Sequence, residues 1–180
     1  MADKTLVGKK IAMVIAFRDF RDIEYFIPRN ILFSAGAQIT TCSTEKGIAV
    51  GADGGEVQVN LEASELQVAK FDAIVFIGGS GMGKNLDNEV LHQIAQETVA
   101  QNKVLGAICV APALLAKAGV LNGKKATVWS NPLDKSAVKM LKEGGAQYQD
   151  ESVVIDGQII TASGPPAAKQ FGEALTTLLK

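Results

Sequence analysis

The sequence predicts an α/β fold, a flavodoxin-like sandwich with a mainly parallel central sheet and helices on both faces. Three observations predict it. Short, almost wholly apolar runs occur at residues 10–16 (KIAMVIA), 71–77 (FDAIVFI) and 103–108, as expected of strands buried on both faces. Stretches of helical spacing lie between them, which is the rhythm of βαβ units. Glycines or prolines then mark most of the boundaries.

The elements follow in order. Residues 10–16 form the first strand. After FRDFRD, the apolar positions Ile23, Phe26, Ile27, Ile31, Leu32 and Phe33 predict a helix over residues 23–34. Asp22 is its expected N-cap, Pro28 should bend it or interrupt one bond, and Gly36 ends it. Residues 38–43 read as the second strand. Residues 47–55 are Gly-rich with extended pieces, and residues 56–60 form another strand. The central strand at 71–77 runs into Gly78, Gly79, Ser80 and Gly81. A helix is expected over residues 88–101, then a strand over 103–108. Cys109 follows at once, then a helix over 111–118 that stops at Gly119. Residues 125–129 form a strand, and Pro132 should open a helix over 133–143. Short strands follow at 147–149, 153–155 and 158–161, with Asp156 and Gly157 as a hairpin turn. Pro165 and Pro166 begin a last helix ending near Lys180.

Bulk properties narrow the function classes. With 180 residues, the chain suits one domain spanning 1–180 and is short for two. Its net charge of −1 and only three arginines, Arg18, Arg21 and Arg29, leave no basic stripe for nucleic acid. No apolar run reaches the roughly 18 residues that span a bilayer, and residues 1–10 lack a signal-peptide core. A cytoplasmic protein without membrane or nucleic-acid partners is the expectation. Two cysteines, Cys42 and Cys109, make no disulfide framework, and with one histidine they argue against a common zinc site.

In folds of this class ligands sit at the carboxyl ends of the strands. That rule selects the loop after Ala16, the glycines after Ile77, and Cys109 after Ile108. In A-I-C-V-A-P (107–112) a buried strand meets a helix at one residue, the geometry of a nucleophile elbow. Facing a helix N-terminus, Cys109 should have a lowered pKa and a higher thiolate fraction. The competing reading is a buried structural cysteine. Glu24 also has two readings. It is an exposed acid complementing the helix dipole, or a buried, protonated acid donating to the Cys109 sulfur.

G-G-S-G-M-G-K-N (78–85) has P-loop spacing up to Lys84, but Asn85 replaces the magnesium-binding hydroxyl, so nucleotide binding is not expected. Its backbone N–H groups can instead face an oxyanion beside Cys109. His92 falls on the solvent side of its helix, and Cys42 falls in the core. Trp129 either lines the site or packs.

Taken together, several segments resemble the ThiJ/PfpI superfamily, closest to its parkinsonism-linked deglycase and glyoxalase III-like branch. They are D-I-E-Y-F-I-P-R-N-I-L-F-S-A-G (22–36), F-D-A-I-V-F-I-G-G (71–79), K-N-L (84–86), A-I-C-V-A-P-A-L-L-A (107–116), S-N-P-L (130–133) and T-A-S-G-P-P (161–166). The resemblance implies a dimer in which Cys109 is the elbow cysteine, often oxidised to sulfinic acid, and Glu24 its hydrogen-bonded acid. It implies an oxyanion pocket at the backbone N–H groups of Gly79 and Val110. Gly78, Ser80 and Asn131 are substrate-pocket candidates.

Two departures matter. Val110 stands where many relatives carry histidine, and Asn131 stands where the deglycase branch carries one, so protease chemistry is not expected. The sequence also stops after one C-terminal helix where human-type members have another, so dimer contacts should differ. The expected activity is on a small aldehyde or 2-oxoaldehyde, with no cofactor or metal. The alternatives are a redox-sensing, stress-protective or chaperone-like protein that oxidises at Cys109, and a cysteine hydrolase or hydratase of another small electrophile.

Overall fold

The computed structural model describes residues 4–180. The first half holds β1 (Lys10–Val14), β2 (Arg18–Phe20), α1 (Asp22–Ser34), β3 (Gln38–Ser43), β4 (Gly47–Gly51), β5 (Glu56–Val59), β6 (Leu61–Glu62), β7 (Ala73–Phe76) and α2 (Ser80–Gly83). The second half holds α3 (Glu89–Ala100), β8 (Val104–Ile108), α4 (Ala111–Lys117), β9 (Lys125–Ala126), α5 (Ser136–Glu143), β10 (Gln147–Tyr148), β11 (Val153–Asp156), β12 (Ile159–Ala162) and α6 (Ala168–Leu179).

A seven-stranded sheet has the order β11-β12-β8-β7-β1-β3-β6. Its pairings are parallel except β11 with β12, which form the expected hairpin. Successive strand residues face opposite sides, and both sides are buried. In β1, Ile11 and Met13 enter a core shared with α1 and α6, whereas Ala12 and Val14 enter one shared with α3, α4 and α5. β7 and β8 alternate in the same way. This accounts for the unbroken apolar runs.

Local chemistry moved several boundaries. β2 was expected as a loop, but it pairs with β4, which pairs with β5 in a small separate sheet. Asp22 is not the N-cap. Arg21 holds that position, and the Asp22 carboxylate instead accepts the backbone N–H groups of Asp53 at 2.8 Å and Gly55 at 2.7 Å. Those bonds tie the small sheet to the start of α1. Helix α1 runs on through Pro28, which has no N–H to give the Glu24 carbonyl. Helix α5 begins at Ser136, later than expected. The Asn131 Oδ1 accepts the N–H groups of Leu133 and Asp134, which closes a separate turn, and the Asp134 carboxylate then takes the Ser136 N–H. The last helix is preceded by a short 3₁₀ turn at Pro165–Ala167.

Candidate active site

β7, β1 and β3 are neighbours, yet the chain passes from β1 to β3 before returning to β7 on the other side. This reversal opens a crevice at the carboxyl ends of β1 and β7. The segment after β1 brings Arg21 and, in the first turn of α1, Glu24 there, the loop after β7 brings Gly78 and Gly79, and the neighbouring β8 brings Cys109.

Cys109 forms the corner between β8 and α4 with φ +64°. A side chain in left-handed backbone costs about 1–2 kcal/mol. Two bonds hold it there. Its N–H donates to the Ala162 carbonyl at 2.9 Å, and its carbonyl accepts the Trp129 N–H at 2.8 Å. The thiol is half-buried, and the backbone N–H groups of Gly79 and Val110 are directed at it.

Glu24 is fully buried. Its Oε2 accepts the Gly78 N–H at 3.1 Å, and its carboxyl hydrogen-bonds the Cys109 thiol. Its Oε1 is buried without a partner. Gly78 allows this approach. A Cβ there would lie 2.5 Å from Cys109 Cβ and 2.6 Å from Glu24 Oε2. The loops themselves are close-packed as well. A Cβ on Gly79, whose φ is +116°, would lie 2.5 Å from the Asp19 carbonyl oxygen.

Burial pushes the Glu24 carboxyl up to about 7, against the opposing pull of Cys109, Gly78 and Arg21. The Cys109 thiol is also pushed up, first by burial and then by the Glu24 charge, while the Val110 and Gly79 N–H groups pull it down. The expected lowered thiol pKa is therefore not found. The sequence places Cys109 at a helix start, but that helix has seven residues, and burial of the thiol, with the Glu24 carboxylate beside it, outweighs the effect.

The two groups titrate as a pair. One proton leaves near pH 7. Loss of the second would set two anions side by side and is driven to high pH. Across the interval the pair holds one proton, on the carboxyl or on the sulfur. The Gly79 and Val110 N–H groups favour anionic sulfur, whereas the Gly78 N–H and Arg21 favour anionic Glu24.

The pair opens on a pocket of about 490 Å³, largely apolar, lined also by Arg21, Gly79, Ser80, Gly83, Val110, Trp129 and Pro165. Gly78 lies behind it against Cys109. Asn131 is not among its lining residues and turns its carbonyl onto its own loop. His92 is half-buried, with its Nε2 2.7 Å from the Leu86 carbonyl, away from the pocket. Cys42 lies in the core, its thiol pushed up to about 12 by burial and then by Glu62 and Glu65. Sequence reasoning missed Arg21 and Pro165. The available signal for Arg21 was its place in the loop after β1, three residues before Glu24.

Residues 9–178 match the model of the DJ-1/PfpI family. An uncharacterised protein of Methanocaldococcus jannaschii is 42% identical over 170 residues, covering 94% of this chain and 82% of that protein. The deglycase PfpI of Pyrococcus furiosus is 29% identical over 168 residues, covering 93% and 98%. A glutathione-independent glyoxalase of Caenorhabditis elegans is 25% identical over 172 residues, covering 96% and 89%. Among solved structures, a ThiJ/PfpI domain protein from Brachyspira murdochii superposes with a TM-score of 0.90 at 32% identity, covering 96% of this chain and 98% of that one.

Proposed function

Because this chain belongs to the DJ-1/PfpI family, we propose that its pocket acts on small reactive carbonyls, converting a 2-oxoaldehyde to a 2-hydroxy acid through Cys109 and Glu24. The observation that carries this reading is the buried carboxyl, raised to about 7, in hydrogen-bond contact with the thiol at a left-handed corner.

The chemistry balances within the substrate and water. The thiolate sulfur adds to the aldehyde carbon, and the carbonyl oxygen takes the electron pair beside the Gly79 and Val110 N–H groups. Protonated Glu24 supplies the proton that gives a hemithioacetal. The resulting carboxylate removes the hydrogen from that carbon as a proton and returns it to the neighbouring carbon, while the hydroxyl proton passes from the first oxygen to the second. The first carbon is oxidised to a thioester and the second is reduced to a carbinol. Water cleaves the C–S bond, releasing the hydroxy acid and the thiol. The names of the deglycase and glyoxalase relatives support carbonyl chemistry. The same groups would serve carbonyl adducts of amines.

The test is lactate formation from methylglyoxal by the wild type and by Cys109→Ala. Lactate from the wild type alone is the expected result. Equal rates in the two proteins, or none in either, would overturn the proposal.

A second reading, a redox-sensing, stress-protective role, is favoured by the contrast between half-exposed Cys109 and buried Cys42. Mild peroxide should add two oxygens to Cys109 before Cys42 reacts. The reading also includes a homodimer. Ile23 and Ile27, one turn apart on α1, are exposed apolar side chains suited to contact with a second copy.

A further inference from the structure

Among the described residues, Arg21 is the only cation lining the pocket, whose wall is mostly apolar. Its guanidinium makes an ion pair with Asp53, but at 3.8 Å and between half-exposed side chains. That is too long for a hydrogen bond. Its Nε is buried and has no acceptor. An unmet buried N–H is unfavourable, so the described residues do not saturate this guanidinium, whose half-exposed part lines the pocket.

The protein's own carboxylates do not satisfy it. Both oxygens of Asp22 accept backbone N–H groups, from Asp53 and Gly55. Glu24 gives its Oε2 to Gly78, its unpartnered Oε1 makes no hydrogen bond with Arg21, and its charge is reduced near neutrality. Asp53 remains at the solvent edge. A guanidinium presents donors in a planar fork that fits a carboxylate in two-point contact. In an apolar pocket such a contact is strengthened.

We propose that Arg21 is a specificity-determining residue that binds a carboxylate on the substrate, so that the preferred substrates are 2-oxoaldehydes bearing an anionic group beyond the two carbonyls. This rests on the carbonyl reading of the site. A suitable probe is 4,5-dioxopentanoate, which the same steps convert to 2-hydroxyglutarate. Methylglyoxal is the neutral comparison.

Two measurements test it on wild type, Arg21→Met and Arg21→Lys. The first is the ratio of kcat/KM for 4,5-dioxopentanoate to that for methylglyoxal. It should favour the anionic substrate in the wild type, fall about tenfold in Arg21→Met through KM, and be partly kept by Arg21→Lys. Taking a ratio cancels any effect of the variant on Glu24. The second needs no turnover. Cys109 alkylation by anionic iodoacetate, relative to neutral iodoacetamide, should fall by a similar factor in Arg21→Met. If that alkylation ratio is unchanged, the carboxylate site is overturned whatever the turnover data show. If it falls while neither dioxo compound is converted, Arg21 stands as an anion site and the carbonyl reading fails.

Discussion

Glu24→Gln is expected to lower turnover of methylglyoxal by about 10³-fold while making the protein more stable above pH 7. Both effects have one cause. The buried carboxyl holds its proton up to about 7, against a usual value of 4.5. Between those values the native protein binds more protons than the unfolded chain. Stability therefore falls as pH rises through the window, by up to about 3 kcal/mol in all. Glutamine has the same shape and no charge. Denaturation at pH 8 should show the variant more stable by about 2–3 kcal/mol, with little difference at pH 4. The turnover loss follows because an amide cannot pass a proton between two carbons near neutrality. A variant with equal stability at both pH values would show that the carboxyl is not held protonated.

Gly78→Ala is the second substitution with a large expected effect. The added methyl would meet Cys109 Cβ at 2.5 Å, Glu24 Oε2 at 2.6 Å and the Ile108 carbonyl oxygen at 2.7 Å. Two of these groups belong to backbone-fixed positions and cannot swing away. A destabilisation of about 2–3 kcal/mol is expected from the overpacking, read as a lower midpoint of chemical denaturation. Separating thiol from carboxyl should also cost at least about 10²-fold in kcat. Gly83→Ala is the control for the stability effect alone, since Gly83 lines the pocket. It lies on the same loop-to-helix segment, and its Cβ would meet nothing within 4 Å.

Much of the sheet was legible because β1, β7 and β8 are buried on both faces, and burial of that kind writes itself as unbroken apolar runs. Cys109 was legible for a related reason, since strand end, cysteine and helix start are adjacent in sequence. Glu24 was only half legible. Its helix could be read, but whether an acid in the first turn faces water or a thiol depends on how the loop after β7 lies on the loop after β1. β2 and β6 were missed because strands of three and two residues carry little alternation, and these two lie in polar or irregular connecting sequence. The late start of α5 was hidden in the Asn131 and Asp134 side chains, whose bonds to nearby backbone N–H groups compete with the helix. Thiol acidity was misread because a helix start is a local feature, while the burial that opposes it is set by the whole fold.

The central claim is that Cys109 and Glu24 share one proton above about pH 7. It is tested most directly by the rate of Cys109 alkylation with iodoacetamide against pH, in the wild type and in Glu24→Gln. The account predicts two steps in the wild type, one near pH 7 leading to a plateau and a second far into the alkaline range. It predicts a single step in Glu24→Gln, with the one near pH 7 gone. Superimposable curves, each with a single step near the free-thiol value of about 8.5, would contradict it.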